Sequence, residues 1–182
     1  MRDGVGDFEV EDFTCEVDLG GGWVEDTEDD TTGALITAKY YPGDPTSLRR
    51  FLAGPVAALT IDCYGEDGVA QPTLPEVVDI LLQRSYFERR PAVSYRDVPA
   101  GPAVRLAGPF TQRVWGGLRR KRGYVVTYVV APPGRHHIVE LAVASADSRH
   151  SLDPAGLADA LMATFRLVPV SEQDAADDPA QP

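Results

Sequence analysis

The sequence is poor in the residues that most often mark a chemical site. Among its 182 residues are two cysteines, three histidines, two methionines and two tryptophans. The cysteines, Cys15 and Cys63, are far apart and no histidine is spaced to join them, so no zinc-type ligand set is spelled out and no metal is expected. There is no G-x-S-x-G nucleophile elbow, Walker loop, Rossmann glycine pattern, H-E-x-x-H or C-x-x-C. Hydrolytic, nucleotide-binding, zinc-protease and dithiol chemistry therefore have no motif to rest on, and no catalytic residue or cofactor is assigned. No apolar run reaches the ~18 residues of a transmembrane helix. The opening MRDGVGDFEV lacks the basic start, apolar stretch and cleavage site of a secretory signal, and no apolar leader precedes Cys15 for lipid attachment. The expectation is a cytoplasmic protein with two buried free thiols, a disulfide arising only if the chain is exported.

Positive charge is also scarce. The formal net charge is −11, and fifteen of the seventeen basic residues are arginine. With abundant Ala, Gly and Pro, that bias points to a GC-rich bacterial genome. The acidity is peripheral: residues 1–30 hold twelve Asp/Glu and one Arg, and residues 171–182 hold four acids and no base. The body, residues 31–170, has sixteen basic against twelve acidic residues. An acidic chain is repelled by phosphate, which argues against nucleic acid and anionic membrane as partners.

The apolar pattern divides residues 8–168 into elements of one domain, with 1–7 expected to fray and 171–182 to form a disordered acidic tail. Alternation from Phe8 through Phe13, Cys15, Val17 and Leu19 predicts a strand, broken by Gly20-Gly21-Gly22 before Trp23. Residues 25–30 read as an acidic loop and 33–41 as a strand. Residues 44–55 could start a short helix, and 56–64 read as a strand. Thr73 and Glu76 form a capping box with Pro75 in the first turn, and Leu74, Val77, Val78, Leu81 and Leu82 fall at helical spacing. Pro91 should end that helix. Strands over 92–98, 102–115, 123–131 and 136–144 follow, joined by short Gly/Pro turns as in an antiparallel meander. Asp153 and Pro154 open a last helix with Leu157, Leu161 and Phe165 on its apolar stripe. Strands with segregated helices predict the α+β class, an antiparallel sheet packed by two main helices in an α/β sandwich.

Four local features carry a resemblance. The first strand ends in a glycine-rich turn and a Trp (FTCEVDLGGGW, 13–23). A helix PEVVDILLQ lies mid-chain (75–83). The segment VPAGPAVRLAG (98–108) follows, and the last helix closes on Thr-Phe-Arg (164–166). In this order the chain resembles the PsbP-like α/β-sandwich superfamily. That superfamily includes the photosystem II extrinsic subunit P, a Ran-binding nuclear-import factor and actinobacterial LpqN-type proteins. The resemblance spans residues 8–168, implies the sandwich fold, and shifts expectation toward binding or assembly factors rather than enzymes. It assigns no activity, because fold and function are separable.

Two surfaces compete as candidate sites. The first is Arg119, Arg120, Lys121 and Arg122, a run expected at a hairpin tip between 115 and 123, beside Trp115. Four consecutive cations repel each other, so such a turn is not built for its own stability. It reads either as a solvated tip or as a docking site for an acidic protein, since arginine and tryptophan are frequent hot-spot residues. Pairing with the acidic N-terminal segment of a second copy is a third reading. The second surface is Tyr128, His136 and Glu140, a ligand site or enzyme pocket between sheet and helix. Alternation places His136 on the face of Glu140 and His137 on the opposite face with Val139, Leu141 and Val143. The residues thus favour a non-enzymatic binding or accessory module acting through protein–protein contacts, with a small-ligand binder or enzyme near His136 as the alternative.

Overall fold

A computed structural model describes residues 5–10, 13–25, 36–41, 54–65, 69–83, 87–114, 119–145 and 152–169. The expected helix within 44–55, the acidic residues 26–30, the tail 171–182 and Trp115 lie outside the described residues.

The opening alternation forms a hairpin, where one continuous strand was expected. β1 (Val5–Val10) pairs antiparallel with β2 (Phe13–Asp18), from Val5 opposite Asp18 to Val10 opposite Phe13. Alternation looks the same along one strand or two, so it could not show the reversal. The chain's last strand, β10 (Arg166–Pro169), joins the other edge of β2 to complete a three-stranded sheet.

Among the described residues the main sheet has seven strands in the order β3-β4-β5-β9-β8-β7-β6. They are β3 (Trp23–Glu25), β4 (Ile36–Tyr40), β5 (Ala57–Tyr64), β6 (Ala92–Val98), β7 (Gly101–Val114), β8 (Arg119–Val130) and β9 (Ile138–Ser145). Every neighbouring pair is antiparallel. The predicted meander runs from β6 to β9, and β9 then returns to β5. Asp18 Oδ1 accepts from the Gly20 N–H at 2.8 Å, starting the glycine turn into β3. A side chain at Gly22, whose φ is 105°, would collide with the Tyr40 ring.

Both described helices start as their sequences predict. In α1 (Leu74–Gln83) the Thr73 N–H and hydroxyl each donate to Glu76 Oε2 at 2.8 Å. In return the Glu76 N–H points to Thr73 Oγ1 at 3.5 Å, which closes the capping box. This hydrogen bonding holds the Glu76 carboxyl below its ordinary range. The described helix runs to Gln83, and by Phe87, short of Pro91, the chain makes a bridge to Phe110. In α2 (Pro154–Thr164) Asp153 caps the N-terminus, accepting from the Ala155 N–H at 3.0 Å.

Period-two alternation splits the core between the sheet's two faces. One face presents Leu59, Ile61, Val126, Tyr128, Leu141 and Val143 to β2 and α2, including Phe13, Leu161, Met162 and Phe165. The other presents Val104, Leu106 and Val129 to Val77, Val78 and Leu81 of α1. Among the described residues twenty-one buried residues form the first cluster and six the second, so of these the β2/α2 side carries most of the hydrophobic stabilisation. This is an α+β sandwich. Among the described residues no helix is long and apolar enough to cross a membrane.

Candidate functional site: a basic ribbon

β7 and β8 pair over twelve positions, from Ala103 opposite Val130 to Val114 opposite Arg119. β9 joins β8 only from Tyr124 onward, and β6 joins β7 only as far as Ala107. The Phe87–Phe110 bridge and the contacts of Glu88 with Pro109, Thr111 and Arg122 support the next stretch from one side. Among the described residues no further strand flanks Thr111–Val114 and Arg119–Arg122, which form a two-stranded ribbon, four pairs or roughly 14 Å long at ~3.4 Å per residue. The basic run lies in a strand, where a turn was expected.

Five of the ribbon's eight paired residues are basic: Arg113, Arg119, Arg120, Lys121 and Arg122. Arg113 stands directly opposite Arg120. Like charges at such a pair oppose strand pairing. A lone two-stranded ribbon is marginal to begin with, so its charge works against its own stability. Glu88 answers part of that charge: its Oε1 lies 3.2 Å from Arg122 Nε and also accepts from the Thr111 hydroxyl. The Arg122 side chain is 85% exposed, so this bridge contributes at most about 1 kcal/mol.

The root of the ribbon is tightly built. A Cβ at Gly123 would lie 2.2 Å from the Ser145 carbonyl oxygen and 2.5 Å from the Phe110 ring. Ser145 is itself buried and donates its hydroxyl to the Val56 carbonyl at 2.7 Å. Glycine at 123 lets β9 end against β8 where the ribbon leaves the sheet.

The other predicted residues are not brought together. Tyr128 is buried and opposite Leu141, on the β2/α2 face. Glu140 is opposite Val129 and faces the α1 side. His136 and His137 precede β9, which starts at Ile138, so strand alternation does not separate them. The turn through Pro132 and Gly134 (φ 73°) delays the strand, and the two rings approach to 5.0 Å. Glu140 lines a cavity of about 170 Å³ between α1 and the sheet, with Tyr64, Ile80, Leu81, Val129 and Ile138.

Tyr128 instead belongs to a polar cluster that sequence reasoning missed. Its hydroxyl donates to Asp159 Oδ1 at 2.7 Å, and Arg105 Nε donates to the same oxygen at 2.9 Å. Arg96 Nη1 donates to the Tyr128 hydroxyl at 3.3 Å and lies 3.6 Å from Asp159 Oδ2. Burial pushes the Asp159 carboxyl up, but bonds from Tyr128 and Arg105 and the two guanidinium charges outweigh it and hold it below its ordinary range. Burial first, then bonding to Asp159 and its negative charge, raise the Tyr128 phenol. The available signal was Arg105, a charge between Ala103 and Ala107 on a core-facing strand, which required a partner. The cluster pins α2 to β6, β7 and β8.

No family model matches the chain, and no curated protein does. The solved structure of LpqN, involved in cell envelope biogenesis of Mycobacterium tuberculosis, is similar over 91% of this chain and 91% of its own. Identity is 13% and the TM-score is 0.56. The two share a related fold. A structure from Bacteroides thetaiotaomicron matches 83% of this chain and 44% of its own at 10% identity, with a TM-score of 0.46.

Proposed function

We propose that the protein is a non-enzymatic binding or accessory module that docks an acidic surface of another protein through the ribbon, with Arg119, Arg120, Arg122 and Trp115 as contacts. The observation that carries this reading is the paired ribbon itself, five basic positions of eight with Arg113 opposite Arg120. A segment that sacrifices its own pairing energy to concentrate cations gains that energy back when carboxylates cover it. Arginine suits this role, because its planar fork meets a carboxylate with two hydrogen bonds. The related fold of LpqN supports two coarser proposals: membership of the PsbP-like superfamily and an accessory role connected with the cell envelope.

The test is affinity capture from nuclease-treated native lysate at low and moderate salt, with Arg119→Glu/Arg120→Glu run beside the wild type. A partner lost both with salt and with charge reversal supports docking by the ribbon. Recovery of a second copy alone indicates self-association, and no specific partner in either lane removes the reading.

The cavity beside Glu140 favours a second reading, a binder of small apolar ligands. It is walled mostly by Val77, Ile80, Leu81, Val129 and Ile138, and Gln71 braces its rim by donating to the His137 carbonyl at 2.7 Å. Saturable NMR shifts of the Val129 and Ile138 methyls on adding toluene would support it, and unmoved methyls would dismiss it.

A further inference from the structure

Cys15 and Cys63 both border the core cluster that fills the space between the two sheets. Cys15 is fully buried on β2, and Cys63 is partly exposed on β5 and packs against the same cluster. β2 and β5 belong to different sheets, so the pair would bridge the two layers. Their alignment follows from the residues at the adjoining end. The Phe13 ring meets the His137 ring edge-on at 6.0 Å, and His137 lies against Gly65, where an added Cβ would fall 3.0 Å from its Cα. Through His137, Phe13 thus neighbours the end of β5. Two residues inward along each strand come Cys15 and Cys63, both on the facing surfaces. Consistent with this, burial raises both thiols, Cys63 to about 11, and Cys15 is raised further by the nearby charge of Cys63.

We propose that Cys15 and Cys63 form an intramolecular disulfide between the two sheets when the chain meets an oxidising pool of small-molecule disulfide. The more exposed Cys63 reacts first. Its thiolate attacks one sulfur of oxidised glutathione and releases one glutathione thiol. The Cys15 thiolate then attacks the Cys63 sulfur of the mixed disulfide and expels the second glutathione. The cysteines lose two electrons and two protons, and one glutathione disulfide becomes two thiols. Because both thiols are raised, thiolate is scarce at neutral pH and the link closes slowly in the folded state. A cytoplasmic chain keeps both thiols, and an exported one carries the link.

The full-length protein, unfolded and refolded in excess oxidised glutathione, tests this by intact mass and non-reducing peptide mapping. The expected product is lighter by two hydrogen atoms, holds a Cys15–Cys63 cross-linked peptide and melts higher than the reduced protein. Cys15→Ser should stop at a glutathione adduct on Cys63. If that variant does not fold, Cys63→Ser serves instead, with Cys15 unmodified in the native state. Wild type ending as a lasting Cys63–glutathione adduct, as a disulfide-linked dimer or with both thiols free would overturn the proposal.

Discussion

Replacing Asp159 with alanine should loosen α2 from the sheet by a calculable amount. Asp159 Oδ1 accepts from Tyr128 at 2.7 Å and from Arg105 at 2.9 Å. A hydrogen bond to a charged group contributes about 1.5–3 kcal/mol net. The Asp159 side chain is 40% exposed and Arg96 is 45% exposed, so the 3.6 Å contact between them adds less than about 1 kcal/mol. Arg105, at 12% exposure, is the sheltered partner left without a carboxylate. Discounting for water at the carboxylate leaves about 2 kcal/mol, or roughly 4–8 °C in Tm for a chain of this size. The assay is thermal and urea unfolding of wild type, Asp159→Ala, Tyr128→Phe and the double variant, with the cycle expected to be non-additive. The pH dependence has a definite sign. The folded carboxyl titrates below its ordinary value, so its contribution is complete above the unfolded pKa of about 3.9 and fades as pH falls through the lower folded value. The gap between wild type and Asp159→Ala should close in that acid window. Equal stabilities at neutral pH, or a gap unchanged in acid, would refute the reasoning.

Gly123→Ala should destabilise the protein by about 1–3 kcal/mol, the range for overpacking, because the Ser145 carbonyl and Phe110 ring must both shift; denaturant unfolding checks it. The same variant should weaken capture of a ribbon partner, since it disturbs the ribbon at its root. Thr73→Ala removes the α1 N-cap and should cost about 1 kcal/mol, read in the same unfolding assay, with hydrogen exchange faster in the first turn of α1.

Local order was legible wherever neighbouring residues decide it. Thr73, Pro75 and Glu76 specify the start of α1, and Asp153 and Pro154 that of α2, because caps and first-turn prolines act within one turn of helix. The strands of the β6–β9 meander were legible from alternation and from the Gly/Pro turns between them. The Phe8–Leu19 alternation concealed a hairpin, since it carries no sign of chain direction. Register between β8 and β9 sets Tyr128 opposite Leu141 and Glu140 opposite Val129, on different faces of the sheet, and no local pattern encodes that register.

What the sequence determined by itself is therefore the α+β class, the capped helices and the concentration of arginine in one short segment. Each depends on residues within a few positions of one another. The tertiary structure decided the rest. Register between β7 and β8 turned the basic run into one side of a two-stranded ribbon and set Arg113 opposite Arg120. Packing of α2 on the sheet brought Asp159 to Arg105 and Tyr128, and closure of the two sheets brought Cys15 and Cys63 to one core cluster. These relations join residues distant in the chain, so they exist only after the layers close and no local pattern encodes them.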